Sequence, residues 1–149
     1  MQPEARIIIL TPDFPPTTGG IQTVLYQIAK RFGAGARVIT DFHEEGKTFD
    51  RGQPFHTTRI KLKGSSLLNQ SKQIYKEISA TQQKQSTQII LCGHVIYSPV
   101  CRFIQSRFKI PYTVMSYGME LLNFKKGVKR LVFRNGLRNA NHHLTISRY

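Results

Sequence analysis

The stretch RIIILTPDFPPTTGGIQTVLYQIAKRF, Arg6 to Phe32, decides the fold class. It opens on an unbroken apolar run, Ile7-Ile8-Ile9-Leu10. A strand with one wet face would alternate; this run suits a strand buried on both sides, as in parallel sheets. A loop rich in Pro and Gly follows, from Thr11 to Gly20. Ile21, Val24, Leu25, Ile28 and Phe32 then recur at helical spacing and form one apolar stripe, stopped by Gly33 and Gly35. Strand, loop and helix in this order make the first unit of an alternating α/β chain.

Outward from that unit the alternation continues. Strands are expected at Arg37 to Thr40, Thr57 to Leu62, Gln88 to Cys92, Tyr112 to Ser116 and His143 to Ile146. Asp41 to Phe55 reads as loop. Helices are expected from Leu67 to about Gln85, with a thin stripe at Leu67, Leu68, Ile74 and Ile78, and from Ser98-Pro99 to about Phe108. Ser98 is the cap and Pro99 the first helical residue of the latter. A basic helix should run from Phe124 to Ala140. Six strands joined by helical crossovers predict a Rossmann-like open parallel sheet with helices on both faces, in strand order 3-2-1-4-5-6.

The charge narrows the partners. There are 22 Lys and Arg against 8 Asp and Glu, a formal net charge of +14. After Glu77 the only acid is Glu120, while eleven basic residues remain. Such a field favours an anionic partner. The two cysteines, Cys92 and Cys101, form no C-x-x-C and are expected as reduced thiols in the core. No apolar run approaches membrane-span length, and Ile7 to Leu10 is too short for a secretory core. A soluble or surface-bound chain made in the cytosol is expected.

In an open parallel sheet, ligands bind beyond the carboxyl ends of the strands. Three unusual loops follow strand ends: Gly19-Gly20-Ile21-Gln22, Gly93-His94, and Tyr117-Gly118-Met119-Glu120. They should converge on one crevice. The Gly19-Gly20 pair opens a helix, where backbone N–H groups and the helix dipole could hold a diphosphate; the alternative is a tight turn needing positive φ. No dinucleotide fingerprint or P-loop is present. His94 could donate to a phosphate or a sugar hydroxyl, or be a satisfied structural histidine. Glu120 could accept hydrogen bonds from a sugar, or serve as counter-charge for Lys125 or Lys126. Asp13 is expected to form a turn through its side chain. His142-His143 has no partner at metal spacing, so no metal is assigned.

The basic helix carries Lys126, Arg130, Arg134 and Arg138, four residues apart. Each step drifts by about 40°, so they form one oblique stripe. Val128, Leu131, Val132 and Leu137 should lie elsewhere and pack on the sheet. Near an anionic bilayer each basic residue contributes about 1 kcal/mol; the alternative is a merely solvated face.

FPPTTGGIQTVLYQIAKRF (Phe14 to Phe32) resembles the opening of retaining glycosyltransferases of family 4, whose GT-B fold has two Rossmann-like domains. The C-G-H of strand four, the S-Y-G-M-E segment and the closing N-H-H-L-T-I-S-R-Y extend the resemblance over essentially the whole chain. The G-G-I-Q loop looks most like the phosphatidylinositol mannosyltransferases. The resemblance implies that Gly19 and Gly20 approach the donor diphosphate, that Gln22 and Gly118 serve acceptor or sugar, and that His94 lines the acceptor pocket. Tyr117 stands where many members have a histidine contacting the transferred sugar; a tyrosine hydroxyl can donate there but carries no positive charge. Tyr117, His94 and Glu120 are the candidate catalytic residues.

The resemblance further implies a nucleoside-diphosphate sugar donor, no metal or other cofactor, and a lipid-linked or glycan acceptor at the cytoplasmic face of the cell membrane. The chain corresponds to the N-terminal, acceptor-side domain. The donor-binding domain, with its basic pair and paired glutamates, is expected from another segment or subunit, and catalysis by this chain alone is not. Two rival readings stand beside this one: a non-catalytic basic module docking on an anionic membrane or a partner subunit, and a nucleic-acid binder. The second lacks a helix-turn-helix, zinc finger or aromatic RNA-binding pattern, so no nucleic acid is expected.

Overall fold

A computed structural model describes residues 6–84, 86–117 and 127–145. Its strands are β1 (Ile7–Leu10), β2 (Ala36–Asp41), β3 (His56–Ile60), β4 (Ile89–Cys92), β5 (Tyr112–Ser116) and β6 (His142–Thr145). All pair in parallel, in the order β3-β2-β1-β4-β5-β6. Leu10 lies level with Ile39 on one side and Cys92 on the other, so β1 and β4 end together at the centre of the sheet.

The helices are α1 (Gly20–Phe32), α2 (Gly46–Asp50), α3 (Leu67–Lys84), α4 (Ser98–Phe108) and α5 (Gly127–Arg138). Successive strand residues point to opposite faces, and the Ile-Ile-Ile-Leu run divides accordingly. Ile7 and Ile9 pack with Leu25 and Ala29 of α1, while Ile8 and Leu10 pack with Ile74 and Ile78 of α3 and Ile104 of α4. Helices therefore cover both faces, α1 and α2 on one and α3, α4 and α5 on the other. Gly33 ends α1 at φ 54°, and its N–H bonds to the carbonyls of Ala29 and Lys30; a side chain at that left-handed position would be strained.

Four local expectations are corrected. The segment Asp41 to Phe55 is not all loop: α2 forms within it, because Asp50 pairs with the guanidinium of Arg59 (2.8 and 2.9 Å) and Phe49 packs against the α1 cluster. Ser98 is not a helix cap. A 3-10 turn, Val95–Tyr97, leads straight into α4, so Ser98 is already helical, and its hydroxyl has no hydrogen-bond partner among the described residues. Asp13 does not build the turn. Thr11 does, its hydroxyl bonding within the loop, while Asp13 pairs with Lys63 at 2.7 Å.

The fourth concerns α5. Phe133 and Gly136 are buried and Leu137 packs against the core, but Val128, Leu131 and Val132 are 77%, 66% and 46% exposed. Close approach to α4 sets this rotation. A Cβ on Gly136 would lie 2.7 Å from the carbonyl carbon of Ser98, and Tyr112 donates its hydroxyl proton to the Gly136 carbonyl. The face that approaches α4 is the one carrying glycine, so the bulkier apolar residues turn outward.

Candidate functional site

The carboxyl ends of β1, β4 and β5 form one rim, and hydrogen bonds tie their loops together. The Gly93 N–H donates to the Leu10 carbonyl at 2.8 Å, and the Tyr117 hydroxyl donates to the Gly93 carbonyl at 3.3 Å. Gly93 is needed for this join: a Cβ there would lie 3.1 Å from the Leu10 carbonyl oxygen and 3.2 Å from Thr11. Tyr117 also packs against the cluster containing Ile21 of α1. Three segments far apart in sequence thus meet at the switch point, where the sheet order reverses around β1 and β4.

His94 is half-buried, and its Nδ1 accepts the backbone N–H of Ile96 at 3.2 Å. That bond assigns the ring proton to Nε2. Cys92 donates its thiol proton to the His94 carbonyl at 3.1 Å, fixing the backbone from below. The histidine therefore has a structural bond through Nδ1.

Gly19 and Gly20 are exposed at the start of α1. Gly19 is extended, at φ 161°, so the alternative of a turn needing the left-handed region does not hold. A Cβ on Gly20 would meet nothing within 4 Å, and the atoms nearest to one on Gly19 belong to the flexible carboxamide of Gln22. Packing therefore does not demand glycine at either position. No side chain caps the first turn of α1.

Sequence reasoning missed the residue that holds this loop. Arg59 on β3 donates to the Pro15 carbonyl at 2.6 Å and to the Asp41 carbonyl at 3.3 Å, while its ion pair with Asp50 fixes the guanidinium. Phe14 is buried in an aromatic group with Tyr26 and Phe55. The Pro-rich loop is thus pinned at Phe14 and Pro15, and the Pro15-Pro16 peptide within it is cis. An arginine in a short strand carries no sequence signal for that task.

Gly118, Glu120 and Lys126 lie outside the described residues. Arg130, Arg134 and Arg138 are all exposed on α5, and Leu131 and Asn135 share a surface hollow with the latter two. Among the described residues no group of three or more His, Cys, Asp or Glu could hold a metal ion, and no helix is long and apolar enough to cross a membrane. Cys92 and Cys101 are free and buried. The hydrogen bond that the Cys101 thiol donates to Cys92, and next burial, push Cys101 well above the ordinary range.

Neither a protein-family model nor a curated protein sequence matches the chain. Solved structures do. HepE of Anabaena, in complex with UDP and glucose, superposes with TM-score 0.64 at 16% identity, over 93% of this chain and 37% of its own. UGT89C1 of Arabidopsis thaliana, complexed with UDP, superposes with TM-score 0.60 at 10% identity, over 96% of this chain and 45% of its own. The fold is that of one GT-B half-domain. The chain spans less than half the length of either neighbour.

Proposed function

We propose that this domain is the acceptor-side wall of a glycosyltransferase that moves a hexose from a nucleoside-diphosphate sugar to a lipid-linked or glycan acceptor. The observation that carries the reading is the rim itself: a glycine pair with room for a side chain opens α1, the helix that follows β1, and Gly93 and Tyr117 are bonded together just past β4 and β5. Glycine kept where packing allows a side chain leaves room for a ligand to reach the backbone. The fold shared with two UDP-bound structures supports a nucleotide-sugar donor. Resemblance to retaining, metal-independent family 4 enzymes, and within them to phosphatidylinositol mannosyltransferases, supports the finer assignment.

In this reading the N–H groups at Gly19 and Gly20 meet the leaving diphosphate, whose charge grows as the glycosidic bond to it breaks. His94 and the carboxamide of Gln22 line the acceptor pocket, as the resemblance implies. The Tyr117 hydroxyl, its proton on the Gly93 carbonyl, accepts from a hydroxyl of the transferred sugar, and the resemblance assigns Gly118 and Glu120 to the sugar as well. A second, donor-binding domain or subunit closes the cleft, excludes water and clamps the nucleotide. The basic stripe of Lys126, Arg130, Arg134 and Arg138 holds the domain against the anionic inner face of the cell membrane. That stripe also supports the second reading, a non-catalytic module docking on such a surface or on a partner subunit.

The reading is tested by turnover. The chain alone should hydrolyse or transfer no sugar nucleotide, and activity should appear with a donor-binding half. Gly20→Val should lower that activity roughly 100-fold, as misplacing a reacting group by about 1 Å does, without unfolding the domain. Robust turnover by the chain alone, or an unaffected Gly20→Val enzyme, would sink it.

A further inference from the structure

Strand β2 ends at Asp41, and Phe42 extends its pairing with β3, donating its N–H to the Ile60 carbonyl at 3.0 Å. The backbone on either side is held. The Asp41 carboxylate accepts the N–H groups of Leu62 and Lys63 at 2.7 and 3.0 Å, and the Gly46 N–H bonds to the His43 carbonyl at 2.9 Å. Yet the Phe42 ring on this fixed backbone is 64% exposed. It lines a hollow of about 600 Å³ at α2 and the edge strand β3, inside the roughly 300–1,000 Å³ range of ligand clefts. Arg59 belongs to the same wall. Its bond to the Pro15 carbonyl at 2.6 Å joins the hollow to the loop that leads to Gly19 and Gly20.

The chemistry of the lining is mixed. In a chain of net charge +14, it carries the acids Glu44 and Asp50 as well as the bases Lys47, Arg51 and Arg59. Asp50 and Arg59 neutralise each other, while Glu44 and Lys47 make no ion pair among the described residues. His43 accepts the Glu45 N–H at Nδ1, 3.1 Å away, which assigns its proton to Nε2. An exposed aromatic ring therefore shares the hollow with a hydrogen-bond acceptor and two donors. An anion would meet the charge of Glu44, and a hydrocarbon chain would strip water from these polar groups without replacing it. A sugar ring suits both halves of the lining. Its hydroxyls donate and accept, and its C–H face carries the partial positive charge that the face of an aromatic ring attracts. We propose that the hollow is a saccharide subsite, in which a neutral pyranose of the acceptor stacks on Phe42 with its hydroxyls on Glu44, Lys47 and His43. The subsite deepens the transfer reading, on which its role as acceptor site rests, and makes a saccharide the part of the acceptor held here.

The test uses the full chain and a panel of neutral disaccharides built from glucose, galactose and mannose. Phenylalanine ring signals are followed by NMR, with that of Phe42 assigned by its loss in Phe42→Ala. At least one disaccharide should shift this signal, and the shift should persist in strong salt, because a neutral ligand offers no charge to screen. Read on the sugar's own signals, Phe42→Ala should weaken binding about tenfold or more, as withdrawing a covered aromatic side chain does, with an unchanged melting temperature. Phe42→Tyr should bind as the wild type does, and Glu44→Gln with Lys47→Gln should bind more weakly. The proposal is overturned if no disaccharide moves the Phe42 signal, if Phe42→Ala binds like wild type, or if pyrophosphate moves that signal and the sugars do not. Turnover with a donor-binding half separates the subsite from the reading it rests on. Sugar binding at Phe42 without turnover keeps the subsite and removes the transfer reading. Turnover whose acceptor KM ignores Phe42→Ala keeps the transfer reading and removes the subsite.

Discussion

Helices α1 and α5 both start at the carboxyl rim, and both carry an apolar face, yet they use it differently. Helix α1 lies over the central strands and buries Leu25 and Ala29 completely, among residues of β1 and β2. Helix α5 serves the edge strand β6, whose four residues are all exposed, and it leaves Val128, Leu131 and Val132 in water. The same sequence period thus makes a core in one place and a surface in another. What differs is what lies beneath the helix: β1 and β2 under α1, and α4 beside Gly136 under α5. The half of the domain around β1 is closed on itself, and the half around α5 presents apolar and basic surface outward.

The contrast breaks most sharply under paired truncations. Leu25→Ala should cost about 2–5 kcal/mol, the range for cavity-forming core substitutions. Leu131→Ala, on an exposed face, should stay within about 0.5 kcal/mol. Denaturant melts of the two variants decide it, and equal losses would mean that α5 packs as α1 does.

A smaller effect sharpens the picture at the opposite end of the strands. Partial burial, and next the neighbouring charge of Arg37, push His56 below its ordinary value, with Asp50 opposing. The unfolded chain then binds the proton more readily than the folded one. Stability from this group is present above the unfolded value, about pH 6.5, and is lost as pH falls through the lowered folded value. His56→Gln should make the fall in melting temperature below that pH shallower. A steeper fall would reverse the sign of the argument.

Much of this was legible in the sequence. The Ile7 to Leu10 run and the alternation of strands and helices predict the parallel sheet, and right-handed crossovers predict its order, which the structure shows. The three rim loops were visible because a parallel topology sends every strand end to the same side. What was hidden depends on contacts distant in sequence. Helix α2 has no capping signal and is held by Arg59, nine residues beyond Asp50. The same arginine reaches back 44 residues to Pro15. The rotation of α5 is set by Gly136 against Ser98, and periodicity reports that an apolar face exists, not which side meets a neighbour. The bond between Tyr117 and Gly93 joins two motifs that the sequence presents separately.

The decisive measurement is an amide NMR titration of the domain with pyrophosphate, comparing wild type with Gly20→Val. If an anion is received where the helix start meets the ends of β1, β4 and β5, shifts should centre on Gly19, Gly20 and Ile21, extend to His94 and Tyr117, and vanish in the variant while its fold persists. Shifts confined to the arginines of α5, or undiminished by valine at position 20, would contradict the account.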